Sequence, residues 1–136
     1  MKLLITEEQY NHISNNITAD NINDILPLVK TFVNFCKTNL CISDSIKVNL
    51  TNIKSKTKTF AHFSPYDKCL TVYVKNRHIG DILRSVAHEL KHFQQQLEGR
   101  LTLSSGEDGS AEENEANSFA GVMMRQFGRE YPQIYE

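Results

Sequence analysis

The sequence predicts an α+β fold in a single domain, in which helices precede and follow a small antiparallel sheet. Its 136 residues suit one compact domain, because a second independent core would be cramped in so short a chain. Apolar residues recur at helical spacing towards both ends, whereas the middle is rich in Thr, Phe, Tyr and Val. We therefore expect residues 1–136 to form one domain of helices, sheet, helix, loop and helix.

Two helices are predicted before the sheet. A threonine at position 6 followed by two glutamates is typical of a helix start, so the first helix runs from there to about Asn16. The second runs from Asp20 or Asn21 to about Asn39, where apolar residues recur at helical spacing. Pro27 indicates that this helix starts late or kinks there, because proline has no N–H and its ring clashes with the preceding turn.

The sheet is expected from three strand-like segments. Residues 45–50 alternate polar and apolar side chains, and residues 57–63 and 69–74 are rich in β-branched and aromatic side chains. Residues 64–67 (Ser-Pro-Tyr-Asp) have turn chemistry and lie between the last two segments. These observations predict an antiparallel hairpin plus one further strand.

Two helices are predicted after the sheet, at about 79–98 and 110–127, separated by a loop at 104–109. Gly99 is placed to end the first of them, and Pro132 prevents continuation of the second. The first helix carries one apolar stripe that should face the core: Ile79, Ile82, Leu83, Val86, Leu90, Phe93 and Leu97.

The helix at 79–98 contains the pattern HExxH, with histidines at 88 and 92. Residues four apart lie above one another on one helix face, so both imidazoles can direct a ring nitrogen to one ion. Glu89 lies on the flank of that face, where its carboxylate can reach a water on the metal without being a ligand. The pattern therefore predicts His88 and His92 as metal ligands and Glu89 as a general base, in preference to two solvated histidines.

Catalytic zinc usually has three protein ligands, so two histidines leave one ligand to be found. The last helix begins with Glu112, Glu113 and Glu115, and Glu115 points about 100° away from its inward face. That inward face is defined by Ala116, Ala120, Met123 and Phe127. Glu113 is favoured as the third ligand, Glu112 is the substitute, and Glu115 is expected to be solvated.

Two neighbours bear on the assignment of Glu113. Ser110 precedes it by three residues, and this capping-box pattern would occupy the Glu113 carboxylate with the backbone of its own helix start. Asn117 follows it by four residues and is placed to hydrogen-bond a ligating histidine. The sequence leaves the capping alternative open.

The motifs at 88–92 (HExxH) and 113–120 (ExxANxFA) together resemble the ImmA/IrrE-type metallopeptidases. More broadly they resemble the gluzincins, in which a glutamate on a later helix is the third ligand. The resemblance covers residues 86–121 and implies a minimal zincin-like fold, Zn²⁺ and peptide hydrolysis. It carries over His88, His92 and Glu113 as zinc ligands and Glu89 as general base. Lys91 departs from the family pattern, which usually has a small residue there.

Other candidate residues have structural interpretations. His62 in a strand and His78 before the HExxH helix are expected to be structural or exposed. Tyr131 or Tyr135 is an alternative candidate for stabilising an oxyanion over the cleft, but surface packing is favoured. Three residues on the histidine side of the helix are expected to form a polar surface or to hydrogen-bond the ligands: Asp81, Ser85 and Gln95.

Charge and cysteine content narrow the class of protein. The formal net charge of −1 provides no strong field, so neither nucleic acid nor a membrane is expected as a partner. The three cysteines form no CxxC pair, which argues against a disulfide framework. With no apolar run of membrane-spanning length and no secretory signal, we expect a cytoplasmic protein. The opening of the chain resembles small proteins from tailed-phage genomes, which implies a virion-associated protein instead.

The predicted function is therefore a zinc-dependent endopeptidase that acts on a protein or peptide substrate. The alternative is a non-catalytic module that keeps the zincin shape and binds or regulates a partner. A structural zinc module is disfavoured, because such sites usually have four protein ligands and favour cysteine.

Overall fold

The computed structural model describes residues 22–53, 60–100 and 110–135. It confirms the α+β class with the elements α1 (Ile22–Leu40), β1 (Lys47–Thr51), β2 (Ala61–Ser64), β3 (Cys69–Tyr73), α2 (Ile79–Leu97), α3 (Ala111–Glu130) and a short 3-10 helix (Pro132–Tyr135). The helix predicted at 6–16 and the loop predicted at 104–109 lie outside the described residues.

The first described helix, α1, contributes one apolar face to the core. It begins at Ile22, close to the predicted start, and continues through Pro27 instead of starting after it. The Thr31 hydroxyl donates to the Pro27 carbonyl at 2.9 Å. Cys41, with a left-handed φ of 57°, follows the last residue of the helix. The buried residues of this helix are Ile25, Leu28, Val29, Thr31, Phe32, Val33, Cys36 and Leu40.

The sheet is mixed, so the prediction of an antiparallel sheet is wrong in part. The strand order is β1-β3-β2; the predicted β2–β3 hairpin is antiparallel, but β1 pairs with β3 in parallel. Leu70 in the central strand lies opposite Val48 on one side and Phe63 on the other. Alternating side chains identify a strand but not its partner, because both pairing directions preserve the alternation. β1 and β2 therefore lie on opposite sides of the central strand β3.

Helix α2 packs against the sheet, α1 and α3, and positions the HExxH residues. Its N-terminus is capped by His78, whose Nδ1 accepts a hydrogen bond from the Gly80 N–H at 3.0 Å. Gly99 follows its C-terminus with a left-handed φ of 71°, as predicted. The predicted apolar stripe is buried except for Leu97, which is 55% exposed because the last turn extends beyond the core.

Helix α3 lies against α2 with its predicted inward face buried. Small residues on that face, Ala116 and Ala120, are fully or almost fully buried. Further along, the Phe127 ring packs edge-on against Phe32 of α1 with centroids 5.0 Å apart. The helix runs to Glu130, one turn past the predicted end. None of the described helices has the length and apolar character that crossing a membrane requires.

Candidate metal centre

The two histidines of the HExxH pattern converge on one point beside α2. His88 and His92 lie one turn apart, half-buried, with ring centroids 4.7 Å apart and planes inclined at 81°. Their Nε2 atoms are 3.1 Å apart. Two imidazoles with facing nitrogens at this distance can share a single cation.

Glu113, in the first turn of α3, completes the group. Its Oε1 lies 3.1 Å from His88 Nε2, and its Oε2 lies 3.0 Å from His92 Nε2. Within the described ranges, these three residues form a group whose donor atoms could hold a metal ion. Glu112, the predicted substitute, is not a member of this group.

The capping pattern and the metal group do not compete for Glu113. The Ser110 hydroxyl accepts a hydrogen bond from the Glu113 backbone N–H at 3.1 Å, which satisfies one of the unpaired amides at the start of α3. The Glu113 carboxylate meanwhile contacts both imidazoles. The cap therefore fixes the backbone of Glu113 while its side chain reaches across to α2.

Gln95 determines which nitrogen of His92 is available for a metal. The Gln95 side chain is fully buried, and its Nε2 donates to the Glu112 carbonyl at 3.0 Å and to the Glu115 carboxylate at 3.3 Å. The carbonyl and the carboxylate can only accept hydrogen bonds, so the amide nitrogen of Gln95 must face them. The amide oxygen of Gln95 therefore faces His92 Nδ1, at 2.8 Å. His92 Nδ1 then carries a proton, so Nε2, which faces Glu113 and His88, is the ring nitrogen available to a metal ion.

The surroundings of His88 favour its neutral form on balance. Burial lowers its pKa below the ordinary histidine value; the Glu113 carboxylate opposes this shift, and the neighbouring His92 adds to it. The Asn117 side chain hydrogen-bonds His88, as the sequence predicted for a residue four positions after Glu113. A neutral imidazole is the form that binds a metal ion.

Glu115 is partly exposed but paired, so the expectation that it would be solvated is correct only in part. Arg100, just past the end of α2, donates to both carboxylate oxygens at 2.9 and 2.8 Å, and Lys91 Nζ lies 3.3 Å from Oε1. The guanidinium holds the pKa of Glu115 at about 2. These contacts tie α2 to α3 beside the metal group. They also give a structural role to Lys91, which departs from the family pattern.

Glu89 is partly buried beside the metal group. It lines a cleft of about 340 Å³ together with His88, Asn117, Ala61 and other residues. Burial raises its pKa to about 7; the Glu113 carboxylate adds to the shift and His92 opposes it. A carboxyl group with this pKa exchanges its proton near neutral pH, unlike an ordinary glutamate.

The donor set fits a tetrahedral metal ion. Zinc takes nitrogen and carboxylate ligands at ~2.0–2.2 Å, which in a tetrahedron separates the donors by roughly 3.3 Å. The separation of 3.1 Å between the two Nε2 atoms is within a few tenths of that value, and each Nε2 has one of the two Glu113 carboxylate oxygens at 3.0 or 3.1 Å. Two nitrogens and one carboxylate make three protein donors and leave further coordination positions open.

No protein-family model, curated protein or solved structure matches this chain. The resemblance to the ImmA/IrrE-type metallopeptidases therefore stays a prediction from the sequence. The evidence for the metal group is the geometry of its three side chains.

The remaining candidate residues lie away from the metal group. His62 is exposed on β2, and His78 caps α2, as expected for structural or exposed histidines. The Tyr131 ring packs on Phe127 at 4.7 Å, and the Tyr135 hydroxyl donates to a main-chain carbonyl of α3 at 2.6 Å. Both tyrosines pack near the end of α3 opposite Glu113, so the structure favours their predicted packing role.

Arg100 is the residue near the site that the sequence did not indicate. It is 15 positions from its partner Glu115, and no local spacing rule links two residues across a helix end and a connection of that length. Of the three polar residues singled out on α2, Gln95 contacts a ligand and Ser85 lines the cleft beside Glu89, whereas Asp81 lines only a neighbouring cleft.

Proposed function

We propose that this protein is a zinc-dependent endopeptidase, with His88, His92 and Glu113 as zinc ligands. The observation that carries the proposal is the convergence of these three side chains beside Glu89, which lines an open cleft and has a pKa of about 7. Three protein ligands with an open position are typical of catalytic zinc, whereas structural zinc usually has four.

Zinc is the ion that this donor set favours. Imidazole nitrogens suit zinc and its first-row neighbours, and the donor spacing suits a tetrahedral ion. When bound, zinc acts as a Lewis acid that lowers the pKa of water to near 7 and polarises a carbonyl oxygen. Peptide hydrolysis involves no electron transfer, so a redox-inactive ion is sufficient.

Glu89 is the proposed general base. It takes a proton from the attacking water while the hydroxyl group adds to the carbonyl carbon of the substrate. It then delivers that proton to the amine nitrogen as the C–N bond breaks. One water molecule is consumed, and one new carboxyl group and one new amine are formed. Burial raises the pKa of Glu89 above its ordinary value, which favours uptake of the proton in the first transfer.

The proposed substrate-binding element is β2, which lies at an edge of the sheet. Phe60 and Ala61 line the same cleft as His88 and Glu89. The Tyr73 N–H donates to the Phe60 carbonyl, so the main chain of Phe60 is hydrogen-bonded to β3. In an antiparallel pair, successive residues direct their main-chain N–H and C=O groups alternately towards and away from the partner strand. The main-chain groups of Ala61, the next residue, therefore point to the open edge of the sheet. An extended peptide can add to such an edge through main-chain hydrogen bonds and so present its backbone to Glu89.

The test combines metal analysis with one substitution. Protein purified without added metal should contain about one zinc ion per chain and should cleave a mixture of unfolded proteins. Glu89→Gln should retain zinc and lose activity by roughly 10²–10⁴-fold, because the amide cannot take up the proton. Glu98→Gln, an exposed glutamate at the end of the same helix, is the matched control and should behave like wild type.

Two results would contradict the proposal. Full cleavage by Glu89→Gln would exclude Glu89 as the base. Zinc-loaded wild type that cleaves nothing in a diverse protein mixture would favour the non-catalytic alternative, in which the same fold binds or regulates a partner.

A further inference from the structure

The cleft beside Glu89 continues along α2 towards the end of β3. A second cleft of about 450 Å³ shares three lining residues with the first, namely Phe60, Arg84 and Ser85. The two clefts are therefore neighbours, and together they form a groove that runs from the metal group to Lys75. We call this the α2 groove.

The walls of the α2 groove beyond the metal group are mainly basic. They carry Lys75, Arg77 and Arg84 against one acidic side chain, Asp81. The sum of these formal charges is +2, although the chain as a whole has a net charge of −1. A cleft lined mainly by one sign of charge concentrates ligands of the opposite sign.

Arg77 is committed to the wall of the groove. Its guanidinium donates to the Tyr73 carbonyl at 2.7 Å and to the Ser85 hydroxyl at 2.7 Å, and it lies 4.6 Å above the Phe60 ring. It also donates to the Asp81 carbonyl at 3.0 Å. With three hydrogen bonds to the protein, Arg77 holds the wall of the groove in place.

Arg84 is in the opposite situation. It is exposed, it lines both clefts, and it has no hydrogen-bond or ion-pair partner in the part of the chain that the structure describes. It precedes His88 by four residues, so the two side chains leave α2 on the same face with Cβ atoms ~5–6 Å apart. A peptide in extended conformation advances ~3.3 Å per residue, so Arg84 is within roughly two residues of a bond held at the metal group.

We propose that Arg84 is a specificity-determining residue that binds a carboxylate of the substrate close to the cleaved bond. A guanidinium presents paired N–H donors that match the two oxygens of a carboxylate. The carboxylate belongs either to an acidic side chain or to the free C-terminus of the peptide. The substrate class is then acidic peptides or C-terminal segments. This inference rests on the proposed function, because a cleaved bond exists only if the protein hydrolyses peptides.

The first experiment measures cleavage. Cleavage sites are mapped by mass spectrometry on a mixed peptide library, and matched peptides are then made with Glu, Gln or Lys near the mapped bond, each as free acid and as amide. Wild type should prefer one carboxylate form by about tenfold in kcat/KM. Arg84→Gln should lose that preference, and Arg84→Glu should reverse it in favour of Lys. The matched control is Arg125→Glu, an exposed arginine of α3 that lines neither cleft.

The second experiment measures binding without turnover. Zinc-loaded Glu89→Gln, alone and combined with each Arg84 substitution, is titrated with the same peptides carrying a fluorescent label, and anisotropy gives Kd. If the first experiment finds no cleaved bond, the peptides are made as a series in which Glu, Gln or Lys occupies each position in turn. When Arg84 is present, the peptide with the carboxylate should bind about tenfold more tightly than the matched peptide without it. In the Arg84→Gln variant the two peptides should bind equally. A preference for Glu over Gln identifies a side chain, and a preference for free acid over amide identifies a terminus.

The outcomes separate this inference from the proposed function. Cleavage without a carboxylate preference, or a preference unchanged in Arg84→Glu, overturns the role of Arg84 and leaves the peptidase proposal intact. Carboxylate-dependent binding that requires Arg84, without any cleavage, supports the role of Arg84 and contradicts hydrolysis. Equal binding of all peptides to Glu89→Gln overturns the inference whether or not the wild type cleaves.

Discussion

Replacing Gln95 with leucine should weaken metal binding without touching any of the three donor residues. The Gln95 amide oxygen accepts from His92 Nδ1 at 2.8 Å, and this hydrogen bond fixes both the tautomer and the rotation of the ring. Leucine has a similar volume but offers no acceptor. His92 Nδ1–H would then have no acceptor from this residue, and the ring could present either nitrogen to the site.

The expected magnitude follows from the contacts that are lost. Leaving one buried donor without its acceptor costs ~1–3 kcal/mol in the free energy of unfolding. The Glu115 carboxylate keeps its contacts with Arg100 and Lys91, so it adds little to this loss. Loss of a partner that orients a ligating histidine lowers metal affinity by roughly 10–100-fold.

The assay is competition for zinc against a chromophoric chelator, with urea unfolding of the metal-free protein as a second measurement. Gln94→Leu is the matched control, because the Gln94 amide donates to the Leu40 carbonyl of α1 at 2.9 Å and accepts from Lys91, and neither partner is one of the three metal-binding residues. It should lose stability but keep zinc affinity. Equal zinc affinity in Gln95→Leu and Gln94→Leu would refute the claim that Gln95 orients His92.

Three further predictions follow from the described contacts. Glu113→Ala should lower zinc affinity at least tenfold, whereas Glu112→Ala should keep wild-type affinity in the same chelator assay; a reversed result would make Glu112 the ligand. The Glu115 carboxyl has a folded pKa of about 2 against an ordinary 4.5, so its contribution to stability is present above pH 4.5 and lost as the pH falls towards 2. The free energy of unfolding of Glu115→Gln, measured with urea, should therefore change less over that pH interval than that of the wild type. Parallel pH profiles of the two proteins would contradict this. Burial strongly raises the pKa of the Cys36 thiol, so a thiol reagent should modify exposed Cys41 in the folded protein and Cys36 only in urea; rapid labelling of both would show that the core is open.

The sequence predicted the local part of this structure well. The spacing of His88 and His92 on a helix, and the position of Glu113 relative to the buried face of the next helix, depend only on 3.6-residue periodicity. Cap positions such as Ser110 and Gly99 are also local and were predicted. Each of these features is fixed by residues within about one helical turn.

The features that the sequence did not predict depend on contacts between distant segments. The parallel pairing of β1 with β3 is decided by how the whole sheet packs on the helices, and the same alternation suits either direction. The exposure of Leu97 depends on where the core ends. The pairing of Glu115 depends on Arg100 returning across the end of α2, and the sequence holds no signal for that.

Glu113 and the two histidines belong to different helices, and His92 and Glu113 are 21 positions apart in the sequence. An ion bound by all three would therefore cross-link α2 and α3, in addition to any role in catalysis. A ligand that binds only the folded form stabilises it by ~2.7 kcal/mol when its free concentration is one hundred times its Kd. A chain deprived of such an ion would then unfold more readily and be easier to degrade.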